Sequence, residues 1–369
     1  MARRIRVFVS ERKAFRNRNR NSNSNRNKRR PTSSPTADLN DDLLRQIFLC
    51  LGAKPLFRFQ SVCKHWRSLL SNPLFLLDWK PKTVSGLFFR RFSRFYNPNI
   101  KFNFIPIHTE NQYNSNSISL CKATLGSLNF ANDSNGIKIL QACNGLLLCS
   151  STGSIEDDIS HIYYVYNPTT KQFTTLPRPR SGGVLGSGPE ESRNIIQFKA
   201  GVFLNGAIHW PSSSTNRSLY FNVNEELLQT MPMPPTDDNK YPRSIRYFGE
   251  SRGHLHLIEF YDSSTLQFNI FEMKMDYSEW FVRYHVDLNT VVTVTATPPD
   301  FFVLCLLRGE IEEDSALVLY MVGQVISYNL NDKTSNKICD LKLRHSDVAY
   351  LKEYKYLIVH QYIETPFQV

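Results

Sequence analysis

The string YNPTTKQFTTLP, residues 166–177, aligns without a gap with FNVNEELLQTMP, residues 221–232. Each begins on an aromatic residue and an asparagine, passes through a polar turn and continues into a second short run that closes on proline. That is the pattern of two strands joined by a tight turn. The aromatic step recurs at Phe271-Glu272 and Tyr328-Asn329, so the copies led by Tyr166, Phe221, Phe271 and Tyr328 stand 55, 50 and 57 residues apart. Tyr96-Asn97-Pro98 reads as a degenerate earlier copy. A repeat of roughly 50 residues built from about four strands is the mark of β-propeller blades, small sheets that bury their faces only against one another.

Outward from these copies, the chain from Lys80 onward is written in short Val-, Ile-, Tyr- and Phe-rich runs broken by Asn-Gly, Asn-Pro and Ser-Gly pairs. Examples are GIKILQACNGLLLCSS (136–151), FKAGVFLNGAIHW (198–210) and GHLHLIEFYD (253–262). They read as hairpins and meanders with few helices. At the observed period, residues 81–369 hold roughly six irregular, kelch-type blades. The alternative, a large β-sandwich, shares a turn spacing of about 8–12 residues but does not require the repeat.

Upstream the grammar changes. In LNDDLLRQIFLCLG (39–52), Leu39, Leu43, Ile47 and Leu51 recur at every fourth position with Leu44 and Phe48 beside them, a helical stripe. Asn40 is placed to cap it, Asp41 and Asp42 stand where the helix dipole favours acids, and Gly52 closes it. Pro55 opens a further helix in which Phe59, Val62/Cys63, Trp66 and Leu69/Leu70 step at three- and four-residue intervals, with Lys64 and Arg67 on another face. Asn72-Pro73 then punctuates, and PLFLLDW (73–79) begins a short third helix or a docking strand. Leu, Ile, Val, Phe, Trp and Cys make up 21 of the 41 residues from Leu39 to Trp79, more apolar surface than a unit of roughly 40 residues hides alone. Either the rest of the chain or a second polypeptide covers the surplus.

The full string LNDDLLRQIFLCLGAKPLFRFQSVCKHWRSLLSNPLF (39–75) resembles the F-box, at Leu39, Leu43, Leu44, Ile47, Leu51, Leu56, Val62, Cys63, Lys64, Trp66, Leu69 and Phe75. It departs from that pattern at Asn40, where Pro is usual, and at Phe48, where Leu is common. The resemblance implies that residues 37–80 dock on a Skp-type adaptor, which bridges to a cullin in a ubiquitin ligase. The residues it puts forward for that contact are Leu39, Asn40, Leu43, Leu44, Ile47, Leu51, Pro55, Leu56, Val62, Cys63, Trp66 and Leu69. It does not sort those that face the adaptor from those in the module's own core.

The β region in turn resembles the F-box-associated interaction domain of the large plant F-box family. CNGLLLC (143–149), YNPTTKQFTTLP, LNGAIHW (204–210), GHLHLIE (253–259) and MDYSEWFVRYHVDL (275–288) stand in that family's order. This resemblance implies recruitment of the protein to be ubiquitylated, with loops such as 181–193 and 234–243 as candidate contacts. The expected fold class is therefore α+β and multidomain. A basic tail (1–36) precedes a small all-α module (37–80) and an all-β, propeller-like domain (81–369).

The chain has 369 residues and a formal net charge of +11, but Met1 to Thr36 holds 12 Lys/Arg against one acid, Glu11. The remaining 333 residues balance 32 basic against 32 acidic groups. The tail includes NRNRNSNSNRNKRRPTSSP (17–35), too polar to offset the entropy of ordering, and reads as disordered. Lys28-Arg29-Arg30-Pro31 fits an import signal or an RNA-attracting patch, and the Arg-rich opening faintly resembles a transit peptide. A neutral folded part argues against a basic nucleic-acid groove, so nucleic acid is expected only weakly and through the tail. No secretory signal and no membrane-length apolar run is seen. Seven scattered cysteines fit free, mostly buried thiols in the nucleus or cytoplasm.

Catalytic patterns are missing. There is no P-loop, dinucleotide fingerprint or nucleophile elbow, and SGGVLGSG (181–188) lacks the Lys-Ser/Thr that a phosphate cradle needs. His254 and His256 share a strand face and with His209 would reach one metal, but no Cys/His set has zinc spacing, so neither metal nor cofactor is expected. Cys143 and Cys149 lack the spacing of a redox pair, and Glu312, Glu313 and Asp314 read as a solvated loop. The reading is a non-catalytic receptor. Its competitors are an RNA- or DNA-associated protein acting through the tail and a propeller enzyme acting on a carbohydrate.

Overall fold

A computed structural model describes residues 40–79, 84–90, 102–107, 124–125, 128–131, 136–151, 162–177, 201–235, 243–260, 266–291, 301–341, 343 and 359–366. The basic tail, Leu39, Tyr96-Asn97-Pro98 and the loop 181–193 lie outside the described residues, as does most of 234–243.

Four short helices open the described chain: α1 (Asp41–Leu49), α2 (Ala53–Phe59), α3 (Lys64–Leu70) and α4 (Pro73–Asp78). Asn40 caps α1, its side-chain oxygen accepting from the Asp42 N–H at 3.1 Å. Gly52 does not close α1, which ends at Cys50; it stands instead as the N-cap of α2. The expected single helix after Pro55 is two, because Cys63 adopts an extended backbone and its sulfur accepts from the Trp66 N–H, starting α3 afresh. Asn72 caps α4 in the same way, so PLFLLD is a helix rather than a strand.

The remainder is a ring of five four-stranded antiparallel sheets. Blade I joins β1 (Gly86–Arg90), β2 (Phe102–Pro106) and β3 (Thr124–Leu125) to the last strand, β20 (Val359–Tyr362). Blade II holds β4 (Ile137–Cys143), β5 (Leu146–Ser151), β6 (Tyr163–Asn167) and β7 (Gln172–Leu176). Blade III holds β8 (Val202–Leu204), β9 (Ala207–Trp210), β10 (Arg217–Asn222) and β11 (Leu227–Pro232). Blade IV holds β12 (Ile245–Ser251), β13 (His254–Glu259), β14 (Gln267–Met273) and β15 (Trp280–Asp287). Blade V holds β16 (Phe301–Leu307), β17 (Ala316–Met321), β18 (Gln324–Asn329) and β19 (Ser335–Asp340). The architecture is a five-bladed β-propeller. Dividing the region's length by the repeat counts one blade too many, since the last strand completes the first sheet instead of beginning a new one.

Apolar residues from facing sheets fill the seams. Phe88 and Phe102 meet Ile137 and Leu147 between blades I and II, Leu204 and Met231 meet Leu257 and Trp280 between III and IV, and Ile258 and Phe268 meet Phe301 and Leu317 between IV and V. Phe89 and Ile105 meet Cys305 and Val318 between V and I, which closes the ring. Between II and III the side-chain amide of Gln141 donates to the Gly201 carbonyl.

The repeat seen in the sequence is the end of each blade's third strand. Asn167, Asn222 and Asn329 each accept from two backbone N–H groups of the following turn, at 2.8–3.3 Å. Blade IV requires a correction. The Lys274 N–H reaches the Glu279 carbonyl as the Asn329 N–H reaches that of Thr334, so Lys274, and not Glu272, is the counterpart of the asparagines. Asp276 caps that turn instead, accepting from the Ser278 N–H at 3.0 Å.

Candidate functional site

The helices pack on one another around Phe48, which is 1% exposed. Its ring lies edge-on to Trp66 at 5.2 Å and to Phe75 at 6.5 Å, with Phe59 at 6.0 Å. Leu44, Ala53, Leu56, Leu70 and Trp79 complete a buried cluster that contains no residue of the propeller. Polar clamps hold its rim. The Trp79 indole N–H donates to the Leu51 carbonyl at 2.9 Å, Arg45 pairs with Asp78, and His65 meets Asp41 at 2.8 Å, bringing the start of α3 to the start of α1.

This packing sorts the residues that the string left unsorted. The α1 stripe splits in two: Leu44 and Phe48 turn inward, while Leu43 and Ile47 stay 49% and 44% exposed. Val62, 60% exposed, lies with exposed Cys63 in the short α2–α3 connection, and Asn40 and Pro55 are also exposed. Leu51, Trp66 and Leu69 are partly covered. Leu44 and Leu56 belong to the core, where they hold helices together and present nothing to a partner. Leu39 lies outside the described residues. Phe57 and Leu74, 43% and 63% exposed, are apolar surface that the sequence reading passed over. The signal was there: Phe57 directly follows buried Leu56, and Leu74 directly precedes buried Phe75, so each is rotated by about 100° away from its buried neighbour. Phe48, one of the two departures from the F-box pattern, is absorbed by the core rather than by the exposed side.

The histidines do not form a metal centre. His254 Nδ1 and His256 Nε2 stand 3.0 and 3.1 Å from the two oxygens of Glu272, with Arg308 at 3.1 Å and Arg283 at 3.9 Å from the same carboxylate. Two guanidinium groups beside the carboxylate oppose a further cation. Burial pushes the Glu272 carboxyl up, but the His256 hydrogen bond and the surrounding cations win and hold it below the usual range. His209 is elsewhere, buried, stacked on Tyr220 at 5.5 Å and tilted against Tyr277 at 5.1 Å. Among the described residues no group of three or more His, Cys, Asp or Glu is arranged to hold a metal.

Burial alone raises the Cys149 thiol to about 12, and burial with the nearby charge of Glu250 raises Cys143 to about 11, so both stay protonated near neutral pH. Cys339 is disulfide-bonded, which departs from the expectation of free thiols throughout. No described helix is long and apolar enough to cross a membrane.

The direction of the strands gives the propeller two unlike faces. Turns joining first to second and third to fourth strands lie on one face, where the chain arrives from the helices at Ser85 and leaves at Ile363. Among the described strands, each blade's fourth strand ends and the next blade's first strand begins at the other face.

Comparison with known proteins agrees with this architecture. Residues 37–78 match the F-box domain family. The chain is 28% identical over 396 residues to F-box protein At5g07610 of Arabidopsis thaliana, across 88% of this chain and 91% of that one. It is 23% identical to F-box/kelch-repeat protein At3g17530 of the same plant, across 54% of this chain and 61% of that one. Among solved structures, a chain of the nidogen/laminin complex shows 11% identity and a TM-score of 0.33, covering 76% of this chain and 99% of that one. TolB from Acinetobacter baumannii shows 11% identity and a TM-score of 0.31, covering 70% and 54%. At such scores neither structure bears on the interpretation. Residues 37–78 thus carry an F-box domain, and over about nine-tenths of its length the chain is similar to a plant F-box protein.

Proposed function

We propose that this chain is the non-catalytic, target-binding subunit of a Skp–cullin–F-box ubiquitin ligase. The F-box docks on the Skp-type adaptor through its exposed apolar side chains, and the propeller holds the protein to be ubiquitylated. Tethering raises the target's effective concentration near the ubiquitin-charged enzyme, so the receptor itself needs no bond chemistry.

One observation carries the reading. The helical module completes its own core and still leaves Leu43, Ile47, Phe57 and Val62 in solvent. Burying one such side chain against a partner is worth about 1.5–3 kcal/mol, so a few of them supply a docking surface. The face from which the blade-to-blade connections depart lies opposite the point where the helices attach, which leaves it free for a target.

Co-purification with a recombinant Skp adaptor tests the first half. Ile47→Asp and Val62→Asp are expected to weaken capture roughly 30-fold or more, about 2 kcal/mol each, with helical content unchanged. Removing residues 1–36 is expected to leave capture intact. Trp66→Ala also abolishes it, but by dissolving the core around Phe48, visible as lost helicity. Undiminished capture by the Ile47 and Val62 variants would sink the proposal. Salt-sensitive nucleic-acid binding that vanishes with the tail would favour the competing reading instead.

A further inference from the structure

The helical module and the propeller meet with no shared hydrophobic cluster among the described residues. The F-box core is built from its own side chains, and no seam cluster of the propeller includes a residue before Val84. Across this boundary Lys54 Nζ stands 2.5 Å from Glu364 Oε1.

Both ends of that pair are anchored. Lys54 sits in the first turn of α2 between buried Ala53 and Leu56, so its backbone moves only with the F-box core. Glu364 follows β20, and its N–H donates to Ser85 Oγ at 3.3 Å. The neighbouring Thr365 donates its N–H to Thr169 Oγ1 at 3.1 Å and accepts from Asn167 Nδ2 at 3.3 Å, which ties the segment to blade II. The Glu364 side chain is 22% exposed, so it is substantially withdrawn from water. The helix gives no reason for a lysine at position 54. Its dipole disfavours a cation in the first turn, and that turn contains no acid to offset it. The carboxylate that answers Lys54 comes from the propeller.

The geometry points to Lys54–Glu364 as a latch that holds the F-box at one angle to the propeller. In the receptor reading above, on which this significance rests, that angle sets the direction in which a held target faces the ligase. Partly exposed ion pairs bias an equilibrium by up to about fivefold, enough to favour one orientation where no buried hydrophobic cluster among the described residues spans the boundary.

Single-molecule energy transfer on the full chain, with fluorophores introduced at exposed Ser68 and Lys333 through unnatural amino acids, reads the angle directly. The wild-type chain is expected to give one narrow distribution. Lys54→Glu and Glu364→Lys should each broaden or split it, Lys54→Gln should broaden it without adding repulsion, and the Lys54→Glu/Glu364→Lys double variant should restore it. A distribution that stays narrow in all three single variants, or a double variant that fails to restore it, overturns the latch. Adaptor capture run in parallel separates the two ideas. A wild-type chain that captures no adaptor defeats the receptor reading without altering the distribution, whereas a defeated latch leaves capture unchanged.

Discussion

Val322 is the residue most at odds with its own backbone. Four two-residue hairpins carry positive φ at both central positions, and three of them place Asn144, Asn205 or Arg252 before the glycine. The fourth places Val322 at φ 50°, where a β-branched side chain crowds its own carbonyl, and leaves it 71% exposed. Val322→Asn is expected to stabilise the propeller by about 1 kcal/mol, read as a higher denaturant midpoint with an unchanged slope. The third-strand asparagines work in the opposite sense. Asn222→Ala removes an acceptor from the Asn224 and Glu225 N–H groups and should cost about 0.5–1.5 kcal/mol in the same measurement. These asparagines could be read from the sequence because turn and residue type are locally coupled. Glu272 could not: it follows an aromatic as they do, and only strand register shows that it lies two residues short of the turn.

At the scale of elements, buried or half-buried histidines in blades IV and I tie stability to pH. His254 is held below its ordinary value, by burial first and then by Arg308, His256 and Arg283, against the pull of Glu272. His360 in β20 is lowered to about 4 by burial and the neighbouring Arg90 charge. A histidine whose folded value is depressed contributes stability that is present above its unfolded value and lost as pH falls through the folded one. Glu272, also depressed, acts in the same direction at lower pH. All three therefore weaken the fold on acidification. The melting temperature should fall steadily from pH 7 to pH 4, and His360→Leu should flatten the lower part of that curve; a profile flat across this range would contradict the assignment. The helical elements teach a different lesson. The caps at Asn40 and Asn72 could be anticipated from residue type, but the number of helices could not, because the break at Cys63 splits the one expected after Pro55. An apolar periodicity continued across it, and only a thiol acceptor marked the restart.

For the molecule as a whole, ring closure rests on four residues, Val359–Tyr362, paired with the strand that follows the helices. A chain ending before residue 359 should lose the blade I–II and V–I seams together, unfold at lower denaturant with a shallower transition, and still capture the adaptor. Retention of the full-length slope would show that closure does not depend on this strand. The propeller class could be foreseen because its repeat is local and strongly written. The number of blades could not, because pairing of the last strand with the first sheet is a contact between residues more than 250 positions apart, and nothing in a periodic count registers it. The same held for the F-box. Its helices were legible, while the division of its apolar residues into inside and outside awaited the way the helices lean on one another.

That pairing also orders events during synthesis. The helices leave the ribosome early and can fold at once, while the ring stays open until Val359–Tyr362 has been made. On the function proposed above, a prematurely stopped product would display a finished docking module with no finished cargo holder behind it. Such a fragment would occupy adaptors unproductively, so cells making it would show the phenotype of a poisoned ligase rather than of a missing one.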